Sequence, residues 1–95
     1  MKVRRIRDIT EWTESDADAV EWDGSQEAFE EIVSMCPRYY EVNIRDGYLS
    51  IFDNLYRFGE KADFGDYIVV EHGGMSVLPR KIFELQYEIV DEVAE

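Results

Sequence analysis

Tyr39-Tyr40-Glu41-Val42-Asn43-Ile44-Arg45-Asp46-Gly47-Tyr48-Leu49-Ser50-Ile51-Phe52 is the stretch that decides the fold class. Tyr40, Val42 and Ile44 alternate with Glu41, Asn43 and Arg45, the period of two that a strand with one buried face requires. Asp46-Gly47 supplies the positive-φ pair of a type I′ turn, so Tyr48 to Phe52 is expected to return as the antiparallel partner. Tyr39, Tyr48, Phe52, Tyr56 and Phe58 fall on or near the face opposite Val42, Ile44, Leu49 and Ile51, which leaves both faces partly apolar. Two outcomes are open for these aromatics. They can form cross-strand pairs in a curled sheet, or an exposed patch that serves a partner or a second copy.

Toward the N-terminus the period changes to that of a helix. Ala28, Phe29, Ile32, Val33 and Cys36 form one apolar stripe, Ser25 or Asp23 can cap its start, and Pro37 stops it. Glu27, Glu30, Glu31 and Ser34 take the opposite face, where neighbouring carboxylates with no cation between them cost a few tenths of a kcal/mol per pair. Before the helix, Ala17 to Trp22 reads as a short strand closed by the Asp23-Gly24 turn signal. Asp8 to Asp18 carries Ile9, Trp12 and Ala17 without periodicity, so strand, helical turn and ordered loop all stay open there.

Toward the C-terminus, Asp53-Asn54 allows a tight turn into Leu55 to Phe58, and Gly59 to Gly65 reads as a polar loop. Tyr67 to Glu71 is β-rich and ends at His72-Gly73-Gly74, so Met75 to Leu78 is expected to close a second hairpin. Pro79 suits the start of a helix of one or two turns over Ile82, Phe83 and Gln86, and Tyr87 to Val90 forms a last strand. The result is a single α+β domain over residues 1–95, one main helix packed on a mostly antiparallel, curled sheet of about six short strands. Residues 1–16 form an acidic-flanked N-terminal segment, and 91–95 are expected to fray as an acidic tail. The expected core is Val20, Trp22, Phe29, Ile32, Val33, Val42, Ile44, Leu49, Ile51, Tyr67, Val69, Phe83 and Tyr87.

Composition bounds the function classes. The chain has 22 acidic residues against 10 Lys and Arg, a formal net charge of -12 on 95 residues, so nucleic-acid phosphates and anionic membranes repel it. The excess is concentrated. Residues 8–35 hold ten acids and no Lys or Arg, residues 82–95 hold five acids and no base, and the span between is nearly balanced. One cysteine, Cys36, excludes an internal disulfide framework and a Cys-based zinc site. No apolar run is long enough to cross a bilayer as a helix, and Met1 to Arg7 lacks the apolar stretch of a signal peptide, so a reducing, cytoplasmic setting is expected.

No catalytic constellation stands out. The one histidine, His72, sits in a glycine turn, and Cys36 lies on the apolar stripe, where cysteines are mostly inert. Neither glycine-containing loop has the spacing of a phosphate cradle. Asp16-Ala17-Asp18 with Glu14 and Glu21 offers oxygen ligands, but the order of an EF-hand loop is missing. The chain is therefore read as a non-enzyme with no cofactor and no resident metal.

Ala19-Val20-Glu21-Trp22-Asp23-Gly24, the acidic helix, Phe64-Gly65-Asp66-Tyr67-Ile68-Val69, and Ile82-Phe83 followed by Tyr87-Glu88 together resemble small, uncharacterised proteins of tailed bacteriophages and prophages. That family carries a Trp-Asp-Gly element, a Pro-Gly-Asp-Trp/Tyr-Ile element and a closing Tyr-Glu-Pro; here Phe64 stands in place of the first Pro and Ile89 in place of the last. The resemblance spans residues 17–90 and implies phage origin, an accessory role and, for such a protein, the host cytoplasm.

Charge pattern and resemblance lead to one expectation. The chain is read as a phage accessory protein that binds and inhibits a host protein through an acidic surface. A row of carboxylates can replace phosphates in a Lys/Arg-lined site, so the partner expected is a defence or nucleic-acid-handling enzyme with a basic surface. Asp16, Asp18, Glu21, Glu27, Glu30 and Glu31 are the expected contact residues. Two alternatives are an assembly module acting by homo-oligomerisation, and a nucleotide-signal-sequestering binder using Trp22, the tyrosines and Arg45 or Arg57.

Overall fold

The computed structural model describes residues 1–5 and 17–90. Among them the elements run β1 (Lys2–Arg5), β2 (Ala17–Glu21), α1 (Gln26–Met35), β3 (Tyr40–Arg45), β4 (Tyr48–Asp53), β5 (Phe58–Ala62), β6 (Tyr67–Glu71), β7 (Gly74–Leu78), α2 (Arg80–Gln86) and β8 (Tyr87–Ile89). The strands form two antiparallel sheets, one ordered β7-β6-β2-β1-β8 and the other β3-β4-β5. The α+β class holds, but the strands divide between two sheets in place of the single curled sheet expected. No helix among the described residues is long and apolar enough to cross a membrane.

Both predicted hairpins form through two-residue turns with left-handed backbone. Asp46 and Gly47 have φ of 43° and 89°, and His72 and Gly73 have 53° and 80°. Those values are the sign that makes a turn twist with its strands. Ser25 caps α1: its hydroxyl accepts the Ala28 N–H at 3.0 Å.

The five-stranded sheet is covered on both faces. Alternation along β2 and β6 sends Val20, Trp22 and Ile68 one way, into a core with Ala28 and Ile32 of α1 and Leu49, Ile51 and Ala62 of the smaller sheet. Ala17, Ala19, Tyr67 and Val69 point the other way and pack with Val3, Phe83 of α2 and Tyr87 of β8. The rings of Tyr67 and Phe83 stack at 4.0 Å, and those of Phe83 and Tyr87 at 5.5 Å. Trp22 is 1% exposed, and its indole N–H has no hydrogen-bond partner among the described residues.

Three expectations are corrected, and a fourth point, left open between two outcomes, is narrowed. First, the N-terminal basic run contains β1, which sits between β2 and β8; its Lys-Val-Arg-Arg sequence shows charge where the fold uses backbone and the buried Val3. Second, the third strand of the smaller sheet is Phe58–Ala62, which starts at the last residue of the predicted Leu55 to Phe58 segment and runs into the predicted polar loop, while residues 54–57 are turn. Asp53 explains the shift, because its buried carboxylate accepts the N–H groups of Leu55 and Tyr56 at 2.9 and 3.1 Å and holds the turn closed. Third, Val33 and Ile44 are 46% and 48% exposed, Val33 on the flank of α1 and Ile44 on an edge strand; Phe29 and Val42 are only partly buried. Val3, Ala17, Ala19, Ala62 and Ile68 are core residues the pattern did not single out, and Ala28 of the helical stripe is buried as well. Fourth, none of the ring contacts among the described residues pairs Tyr39, Tyr48, Phe52, Tyr56 or Phe58 with one another. Tyr39, Tyr56 and Phe58 are more than half exposed, and Lys61 lies over the Tyr48 ring at 4.9 Å. The segment Asp8–Asp16 and the tail 91–95 lie outside the described residues.

Candidate functional site: an acidic groove between β2 and α1

The groove is built by the loop that carries the chain from β2 into α1. Glu21 ends the strand, Trp22 plugs the core, and Asp23 Oδ1 accepts the Ser25 N–H at 2.9 Å. Ser25 then caps the helix. This places Glu27 in the first turn and Glu31 one turn later, on the same side of α1 by their spacing of four. Glu21, Asp23, Glu27 and Glu31 consequently line one cavity of about 320 Å³, with Met1 and Val20 also in its wall.

Three of these acids have fixed electrostatic partners. Arg80 binds Glu21 at 3.0 Å, a contact that raises the guanidinium pKa further. The Met1 amino group lies 3.8 Å from Glu31 and donates to the Ala19 carbonyl at 2.8 Å. The Ser25 hydroxyl and N–H hold the Asp23 carboxyl below the ordinary carboxylate range. Glu27 projects from the first turn of α1, where the positive end of the helix dipole favours a carboxylate.

Of the residues expected from sequence, Glu21, Glu27 and Glu31 come together in this groove. Asp18 and Glu30 do not line it: Asp18 pairs with Lys2 at 3.0 Å, and Glu30 accepts from the Gln26 side-chain amide at 3.1 Å. Asp16 lies outside the described residues. Asp23 joins the site unanticipated. Its place in the Asp-Gly turn signal suggested only a structural role, yet the loop that makes the turn is also the floor joining strand to helix.

Other chemistry is not assembled among the described residues. No group of three or more His, Cys, Asp and Glu side chains is arranged to hold a metal ion. His72 is an exposed turn residue, and burial pushes the Cys36 thiol pKa up while its sulfur lies 3.5 Å from the Pro37 and Tyr40 carbonyls. Trp22, named with the tyrosines for a nucleotide pocket, is buried in the core, where its ring offers no open face. Arg45 and Arg57 stand at opposite ends of the smaller sheet, one beside the β3–β4 turn and the other in the β4–β5 turn. No family model matches the chain, and no curated protein or solved structure matches it.

Proposed function

We propose that this chain is a non-enzymatic accessory protein that binds and inhibits a host protein through the acidic groove, in the manner of a nucleic-acid mimic. The observation that carries the reading is the convergence of Glu21, Asp23, Glu27 and Glu31 on one cavity. A partner that engages it presents Lys or Arg, and an enzyme that handles DNA or RNA, a defence enzyme of that kind included, carries such a surface because it must attract phosphates. The resemblance of residues 17–90 to phage proteins supports a host target. Charge at such an interface acts mainly on encounter rate and partner choice.

Capture of partners from a bacterial host lysate, at low and at high salt, tests this. The wild type is expected to retain a basic nucleic-acid-handling protein that high salt releases. A Glu27→Gln, Glu31→Gln double variant should lose it, and Glu30→Gln, outside the groove, should keep it. Capture that is indifferent to salt and to the double variant overturns the reading.

A further inference from the structure

The strand β3 forms one border of the smaller sheet and, among the described residues, pairs only with β4. Six residues is long for an unprotected edge, and a free row of backbone donors and acceptors is a template for a further strand. Which groups are free follows from the turn. A two-residue turn makes Arg45 and Tyr48 a hydrogen-bonded pair, so Glu41, Asn43 and Arg45 aim their N–H and C=O at β4. Val42 and Ile44 therefore aim theirs at the open edge. The Tyr40 N–H is already held by the Pro37 carbonyl at 3.1 Å.

The side chains of β3 are complementary to a copy of themselves. In an antiparallel pairing centred on Asn43, Glu41 faces Arg45 of the second copy and Arg45 faces its Glu41, both on the outer face. Val42 meets Ile44 on the inner face at the same time. Each Val42–Ile44 pair is then a hydrogen-bonded pair, so the open N–H and C=O groups of both residues are satisfied on both strands. Slipping the register by one residue sets charged against apolar positions, and slipping it by two removes both ion pairs. Neither Glu41 nor Arg45 has an ion-pair partner within the fold among the described residues. Ile44, left 48% exposed in the single chain, is covered in the pair.

We infer that β3 is a homodimerisation edge, at which two copies join their three-stranded sheets about a two-fold axis at Asn43, held by reciprocal Glu41–Arg45 ion pairs. A strand edge alone buries less than the standard footprint of about 800 Å² per partner, so the dimer is reversible and concentration-dependent. The inference stands apart from the acidic groove, none of whose carboxylates lies on β3.

Sedimentation equilibrium over a concentration series tests it, with circular dichroism confirming that each variant is folded. Glu41→Arg and Arg45→Glu each replace attraction with like-charge opposition and are expected to weaken dimerisation about tenfold or more. The double variant E41R/R45E exchanges the charges and should restore wild-type association. A wild type that stays monomeric throughout, a dimer unaffected by either single variant, or a charge exchange that fails to restore it each overturns the proposal.

Discussion

Glu60 on β5 accepts a hydrogen bond from the Val77 backbone N–H on β7 at 3.1 Å. The pairing of Val77 with Ile68 leaves its N–H on the outer edge of the five-stranded sheet, and a half-buried carboxylate from the other sheet closes that edge. An inward-pointing charge is one of the ways natural sheets blunt an edge. Glu60→Ala is expected to destabilise the fold by about 1.5–3 kcal/mol, the worth of a hydrogen bond to a charged acceptor, with Glu60→Gln losing less. Urea unfolding of the two variants against the wild type checks the order.

Asp53 holds the β4–β5 turn in the same way. Its buried Oδ1 accepts two backbone N–H groups, and removing it leaves both without a partner. Asp53→Ala should cost about 2–3 kcal/mol, while Asp53→Asn, which keeps a carbonyl oxygen in place, should cost less than half of that. Thermal melts resolve the difference, and equal losses would show that the turn does not depend on this oxygen.

Gly24 and Gly47 make a matched pair. Both have positive φ, 84° and 89°, but a Cβ at Gly24 would lie 3.0 Å from the Phe64 ring, whereas one at Gly47 meets nothing within 4 Å. Gly47→Ala should therefore cost about 1 kcal/mol, the backbone component alone. Gly24→Ala should cost clearly more, and Phe64→Ala in the same chain should recover the difference. Chemical denaturation of the three variants decides it.

Alkaline pH should weaken the fold. Burial raises the pKa of Cys36, and burial first, then Glu21, raises that of Tyr67, so the folded chain holds both protons more tightly than the unfolded chain. With folded values above unfolded ones, the contribution is complete below the unfolded pKa and is lost as pH rises through the folded value. The decline begins near the ordinary thiol range, about pH 8.5, and steepens toward that of tyrosine, about pH 10. Melting temperature measured from neutral to alkaline pH should fall accordingly, with Cys36→Ala flattening the first part. The Cys36 thiol should also react more slowly with a disulfide reagent at pH 8 than a free cysteine does.

Local pattern determined much of this protein. The alternation of Tyr40 to Phe52 around Asp46-Gly47, the Ser25-capped stripe of α1, the Tyr67–Leu78 hairpin and the short helix after Pro79 each depend on neighbours a few residues away. Turn sign, capping oxygens and side-chain period act over that range. The acidic face was legible for the same reason, since Glu27 and Glu31 are one helical turn apart whatever the rest of the chain does.

Tertiary structure decided what depends on distant partners. Lys2–Arg5 is a strand because β2 and β8 flank it, and Ile68 and Val69 are both buried because a helix and a second sheet cover one face and α2 the other. The acidic groove exists because the turn through Asp23 brings the end of β2 beside α1, and Arg80, 59 residues beyond Glu21, sets the charge at its rim. Backbone pairing and burial across the chain are sums over contacts no local window contains, so residues rich in charge or small in volume entered the sheet and the core without a sequence signal.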